Sequence, residues 1–300
     1  MGRPVDREQR HQSYTPVFSS GEGRPSVVFI PGTAVHSFFY VELLYGLWKS
    51  GINVVSLDPR GQGFSSGVRG DYTITEHVEN ARTVVDYARS RFKGPVFAMG
   101  SSQGGIEAFY LAASDNNGID GAICHNIADL PNPASIRLTR LGPRNKKVGT
   151  VPTTGMIVSS RILTGILGII AKTFPLTKMP AALYLDLKKE KMRVYGSLWN
   201  FMKEEPLAIQ SITLRAFYSL AKTPLPKPVA MIKTPLFVLH SSGDNVFPED
   251  YVTDLFNQLT CDKEIKIYKG LPHLITVEHV PTILPDVVQW IQSKTQVRGR

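Results

Sequence analysis

The chain has 300 residues, of which 42% are apolar, 20% charged and 9% aromatic. This balance excludes a disordered chain and suits one α/β domain carrying an insertion. The formal net charge of +9 is compatible with an anionic lipid surface or an acidic substrate. It comes with no nucleic-acid motif or interleaved aromatic pattern, which argues against nucleic acid.

Taken in chain order, Met1 to Ser13 is polar and charged, without the apolar stretch of a secretory signal, and Asp6 breaks the myristoylation pattern. Cys124 and Cys261 lie far apart and in no metal-like spacing, so free thiols in a reducing, cytoplasmic compartment are expected. Val27-Val28-Phe29-Ile30 runs into Pro31-Gly32, and Asn53-Val54-Val55-Ser56-Leu57 runs into Asp58-Pro59. Val96-Phe97-Ala98-Met99, Gly121-Ala122-Ile123-Cys124 and Leu236-Phe237-Val238-Leu239 repeat the form. These continuous apolar runs read as buried parallel strands, whereas Glu264-Ile265-Lys266-Ile267-Tyr268 alternates like an edge strand. Helical patterns fill the gaps at Phe39 to Ser50, at Thr75 to Phe92 with Thr75 as N-cap, at Gln103 to Ser114 and at Leu284 to Ser293. Such alternation predicts an α/β fold, a mostly parallel sheet flanked by helices.

The alternation stops from about Leu130 to Val229, where only helical, Pro-punctuated segments are legible. That is too long for a crossover, so residues 1–129 and 230–300 are expected to form the core and 130–229 an inserted helical cap. Met179-Pro180 and Glu205-Pro206 read as helix boundaries. Met156 to Ala171 is the longest apolar stretch, but Ser159, Ser160, Arg161 and Thr164 interrupt it and it falls short of the roughly 20 residues of a membrane span. It reads as an amphipathic helix. Much of the basic excess lies in Arg137 to Lys147 and Lys188 to Arg193, a solvated basic face able to make weak contact with a membrane surface.

The chemistry concentrates at Gly100-Ser101-Ser102-Gln103-Gly104, a G-x-S-x-G run directly after a strand and before a helix. A turn that tight strains its central residue, and small neighbours let the backbones approach. Ser102 is then presented at a helix N-terminus, which favours developing negative charge. A serine hydroxyl needs an adjacent base. His273, in Gly270-Leu271-Pro272-His273 after the last strand, is the candidate; His240, His279, His125 and His36 are the rivals. The acid should follow the strand before last, where Asp244 stands in Ser242-Gly243-Asp244, with Asp129 as alternative. Oxyanion donors are expected at the Gln103 N–H and, after the first strand, the Thr33 N–H. No metal or organic cofactor is implied.

Pro31-Gly32, Asp58-Pro59-Arg60-Gly61-Gln62-Gly63-Phe64-Ser65, the Gly100–Gly105 run, Gly243-Asp244 and Pro272-His273 together resemble the α/β-hydrolase superfamily. Ser66-Gly67-Val68-Arg69-Gly70, Leu185-Asp186-Leu187 and Glu205-Pro206-Leu207 are similar to its lysophospholipase and monoacylglycerol-lipase-like branch, the serine aminopeptidase type. The chain departs from that branch in carrying Ser101 rather than His before the nucleophile and Pro31-Gly32 rather than His-Gly. The opening hairpin is expected to be shortened.

Apolar cap residues should build the substrate pocket: Ile157, Ile162, Ile166, Trp199 and Phe217 are the candidates. The expected substrate is a small ester with a hydrophobic acyl or alkyl part, cleaved through a Ser102 acyl-enzyme. A lactonase, a thioesterase or a carbon–carbon bond hydrolase would use the same residues. A non-catalytic, receptor-like version of the fold is the alternative of another class. Nothing in the pattern sets an oligomeric state.

Overall fold

The structure, a computed structural model, describes residues 13–140, 142–143 and 147–298. Most of the polar start (residues 1–12) and part of the basic stretch (residues 141 and 144–146) lie outside them.

The strands are β1 Val17–Phe18, β2 Ser26–Ile30, β3 Asn53–Ser56, β4 Val96–Ser101, β5 Gly121–His125, β6 Lys178–Pro180, β7 Ser211–Thr213, β8 Leu236–Ser241 and β9 Lys263–Tyr268. The α-helices are α1 Val41–Lys49, α2 Ile74–Arg91, α3 Gln103–Ala113, α4 Thr154–Thr173, α5 Leu198–Glu204, α6 Leu214–Lys222, α7 Glu249–Asn257, α8 Ile275–Glu278 and α9 Val280–Arg298. Seven strands form one sheet in the order β1-β3-β2-β4-β5-β8-β9. Among the described residues, the two-residue β1 is the strand of this sheet that runs antiparallel, pairing Val17 with Val55 of β3.

The continuous apolar runs have a direct cause, since both faces of the sheet are covered. Val28, Ile30, Ala98, Ala122 and Val238 pack under α2, α3 and α7. Their neighbours Val27, Phe29, Phe97, Ile123 and Phe237 pack under α1 and α9. Strand β9 has one partner and alternates half-buried and exposed residues, as an edge does.

Three local expectations are corrected. Helix α2 is capped by Thr73, not Thr75: the Thr73 hydroxyl accepts from the Glu76 N–H at 3.1 Å and the Glu76 carboxylate accepts from the Thr73 N–H at 2.7 Å. This reciprocal box satisfies two donors at once, which Thr75, inside the helix, cannot do. Segment 130–229 is not purely helical, because β6 and β7 form a two-stranded antiparallel sheet that places Met179-Pro180 in a strand. Arg137 belongs to no solvated basic face. It is fully buried and donates to both carboxylate oxygens of Asp250, at 2.9 and 2.7 Å.

Segment 130–229 closes over the carboxyl end of the sheet. The Ile209 N–H donates to the Ala34 carbonyl at 2.8 Å and the Thr213 N–H to the Gly70 carbonyl at 2.9 Å. Arg215 donates to both Asp71 oxygens at 3.0 Å. The loops after β2 and β3 are thus tied to this covering segment, and Ser102, Phe247 and His273, which follow β4, β8 and β9, share cavity walls with its residues.

Candidate active site

Strand β4 delivers Ser102 into a turn with φ 56° and ψ −118°, before α3 begins at Gln103. A non-glycine residue there costs on the order of 1–3 kcal/mol, and the surroundings hold it. A Cβ on Gly100 would collide with the Gly104 carbonyl, and one on Gly104 with the Ile30 and Pro31 carbonyls. A Cβ on Gly105 would meet the His125 carbonyl. All three obstacles are backbone, which no rotamer change can clear. Gly104→Ala should therefore destabilise the fold by about 3 kcal/mol or more. A thermal melt checks this, and a Tm within a degree or so of the parent would disprove it.

The structure brings Ser102, His273 and Asp244 together. The Ser102 Oγ lies 3.0 Å from His273 Nε2, and His273 Nδ1 lies 2.7 Å from Asp244 Oδ2. Asp244 Oδ1 accepts from the backbone N–H of Val246 and Phe247 at 2.7 and 2.9 Å. The Phe247 ring is stacked on the imidazole at 5.7 Å. Burial works to lower the His273 pKa, but the charge and hydrogen bond of Asp244, helped by Glu190, outweigh it and raise the imidazole above its usual range. Burial likewise works to raise Asp244, yet His273, His125 and the Phe247 N–H hold it well below the usual carboxylate range.

The rivals make other contacts, although the His125 ring stands only 5.2 Å from that of His273. His125 is fully buried, with Nδ1 3.1 Å from the Ser101 hydroxyl, and burial together with nearby His273 depresses its pKa strongly. His36 faces Glu205 at 3.6 Å. His279 follows α8, its N–H donating to the Ile275 carbonyl. Asp129 meets the Tyr251 hydroxyl, not His273, through its backbone N–H and carbonyl.

Thr33 and Gln103 flank Ser102, and a polar network joins their side chains. The Thr33 hydroxyl donates to Gln103 Oε1 at 2.7 Å, and the Tyr72 hydroxyl donates to the same oxygen at 3.0 Å. Gln103 Nε2 donates to Glu107 Oε1 at 2.7 Å, and His77 Nδ1 lies 2.9 Å from that carboxylate oxygen. The Gly32 N–H donates to the buried Tyr40 hydroxyl at 3.0 Å, which anchors the loop after β2. Burial pushes the Tyr40 phenol up to about 12, so it stays neutral. Among these partners Tyr40, Tyr72, His77 and Glu107 carry no sequence signal, since nothing in their local pattern separates them from ordinary helix or loop residues.

Two cavities meet at Ser102. The larger is apolar, walled by Leu130, Leu138, Leu163, Leu167, Phe217 and Phe247. The second includes Tyr40, Met202, Glu190 and His273. Of the five cap residues proposed for the pocket, only Phe217 lines it. Helix α4 turns Ser160, Leu163, Thr164 and Leu167 toward the cavity, a stripe of helical period. Ile162 and Ile166 fall on another face and are 58% and 54% exposed. Ile157 is half-buried outside the cavity wall, and Trp199 packs on the second apolar layer with the Lys203 ammonium 4.8 Å from its ring.

A family model described as serine aminopeptidase, S33, matches residues 21–279. The chain belongs to this hydrolase family. It is 26% identical over 278 residues to a monoacylglycerol lipase of Mycolicibacterium smegmatis, covering 90% of this chain and 89% of the relative. It is 25% identical over 280 residues to a monoglyceride lipase homolog of Monkeypox virus, covering 90% of this chain and 91% of the other. Among solved structures it is similar to a Saccharomyces cerevisiae monoglyceride lipase complexed with a substrate analog, with a TM-score of 0.73 at 18% identity over 97% of this chain and 94% of the other. The Paleococcus ferrophilus monoacylglycerol lipase matches with a TM-score of 0.71 at 21% identity, over 94% of this chain and 99% of the other. The sheet with its helical layers is the α/β-hydrolase fold.

Proposed function

We propose that this hydrolase cleaves a carboxylic ester with a hydrophobic acyl or alkyl part through a Ser102 acyl-enzyme. The observation that carries the reading is the continuous relay from Ser102 Oγ to His273 to Asp244, at 3.0 and 2.7 Å, opening into an apolar cavity. Ser102 Oγ attacks the carbonyl carbon while His273 Nε2 takes its proton. The oxyanion meets the backbone N–H of Gln103 and Thr33, each worth roughly 3 kcal/mol in such a site. Collapse breaks the ester bond, and the alcohol leaves with the proton from His273. Water, deprotonated by the same imidazole, then attacks the acyl carbon and restores Ser102.

The apolar cavity suits the acyl chain, and the cavity with Glu190 in its wall suits the alcohol. The lipases among the relatives support a lipid-like ester. We place membrane contact on α4, whose exposed stripe Ile162, Ile166 and Ile169 lies beside Arg161 and Lys172, and not on Arg137. The helix has the length and mean hydropathy of a membrane span but is only 28% buried as it stands.

The test is turnover of p-nitrophenyl esters from acetate to palmitate, with and without anionic vesicles. Rates are expected to peak at medium or long chains, and vesicles to raise the long-chain rate. Turnover of acetate alone would sink the hydrophobic-ester reading. Turnover confined to lactones, thioesters or diketones would replace it by one of those reactions.

A further inference from the structure

Beyond the three residues of the relay, the buried Asn126 side chain reaches Asp244 from its far side and the buried His240 side chain of β8 backs Asn126. Asn126 directly follows β5 and adopts φ 70°, in the left-handed region that Asn tolerates better than most side chains. Its backbone N–H donates to the Leu239 carbonyl at 3.0 Å, which ties it to β8. This conformation aims its amide at Asp244, with Nδ2 2.9 Å from Asp244 Oδ2, the same oxygen that faces His273. On its other side Asn126 Oδ1 lies 2.6 Å from Nδ1 of His240, a fully buried residue of β8.

The donor and acceptor roles along this chain are forced. A carboxylate only accepts, so the Asn126 NH₂ must face Asp244; the reverse orientation would set oxygen against oxygen. Asn126 Oδ1 therefore faces His240 and needs a donor there, which puts the His240 proton on Nδ1. Burial keeps His240 below the ordinary histidine range, against the influence of Asp244 and Glu249 and together with that of His273. His240 is thus neutral, with one N–H, and Asn126 takes it. Its Nε2 has no partner among the described residues.

We propose that Asn126 and His240 are positioning residues, a linear brace from β8 through β5 that holds the Asp244 carboxylate with Oδ2 toward His273. Asp244 Oδ1 is fixed by two backbone N–H groups and Oδ2 by Asn126, so the carboxylate has no freedom to turn from the imidazole. Of the four histidines weighed as alternative bases, two lie beside the relay and divide: His240 acts through the acid, and His125 touches Ser101.

The inference rests on the ester-hydrolase reading for its kinetic arm and is independent of it for its spectroscopic arm. The kinetic arm compares Asn126→Gly, which keeps the positive φ but loses the amide, with His240→Leu and His240→Asn. Asn can place an amide donor near the lost imidazole Nδ1. Both Asn126→Gly and His240→Leu should lower kcat about tenfold or more with KM little changed, and His240→Asn should recover most of the loss. The spectroscopic arm follows the downfield proton resonance of His273 Nδ1–H, which should move upfield in Asn126→Gly and His240→Leu and return in His240→Asn. Folded variants with unchanged kcat and unchanged resonance would overturn the brace. So would a loss in which KM and melting temperature change together and His240→Asn does no better than His240→Leu. A wild type that turns over no ester, with the resonance still moving in Asn126→Gly and His240→Leu and returning in His240→Asn, would remove the ester-hydrolase reading and keep the brace.

Discussion

Ser102→Ala should reduce ester turnover by roughly a millionfold and abolish labelling by a fluorophosphonate, with no loss of fold. The Oγ lies 3.0 Å from His273 Nε2, the base that can take its proton, and the substitution removes only that atom. His273→Ala should cost about as much, because an unassisted hydroxyl is a poor nucleophile. The two effects should not add: a double variant should be no worse than either single one, since each removes the same step. Mass spectrometry of the labelled protein locates the adduct. A folded wild type that takes up no phosphonate, or an adduct on a residue other than Ser102, would refute the serine-nucleophile mechanism.

Asp244→Asn should lower kcat by about 10⁴-fold while substrate binding persists. The amide can present a donor to His273 Nδ1 where an acceptor is required, which disturbs the tautomer that frees Nε2 as base. The pH profile gives the sharper signature. Asp244 raises the His273 pKa above its ordinary 6.5, so wild-type kcat/KM should fall as pH drops through a value above 6.5. With the carboxylate gone, burial is left to lower the imidazole, and the residual activity of the variant should keep its plateau to lower pH. Stability follows the same pair with the signs reversed between partners. The contribution of Asp244, whose pKa is depressed, is present above its ordinary 3.8 and lost as pH falls below it. The contribution of His273, whose pKa is raised, is complete below 6.5 and lost as pH rises through the raised value. Wild type should therefore be most favoured over the variant between those limits, as chemical denaturation across pH would measure. An acid limb in the variant at the wild-type pH would mean that Asp244 does not set the His273 titration.

The residues most legible beforehand are those whose chemistry constrains the local chain. Ser102 is announced by glycines that the backbone collision at Gly100 and Gly104 makes obligatory. His273 and Asp244 are announced by their place after consecutive strands, because a parallel sheet brings all its carboxyl ends to one edge. The pocket wall was less legible. Helix α4 is apolar on more than one face, so composition could not separate Leu163 and Leu167, which face the cavity, from Ile162 and Ile166, which face out. The cap at Thr73 rather than Thr75 was legible in the spacing Thr73-Ile74-Thr75-Glu76, since Glu76 stands three residues after Thr73 while Thr75 is followed at that distance by Val78, which cannot close a capping box.

The linear pattern by itself determined the buried parallel strands and the strained serine turn, because each is a short-range constraint written in adjacent residues; it marked Asp244 and His273 only as residues after strand ends, which the sheet then brings to Ser102. Tertiary structure alone decided that Arg137 is buried against Asp250, that two strands sit inside segment 130–229, and that Phe217 alone of the five proposed residues lines the cavity. It also decided that Asn126 and His240 lie behind Asp244. Each of these depends on which residues far apart in the chain are neighbours in space. Asn126 and Asp244 are 118 positions apart, and no local periodicity carries information across that distance.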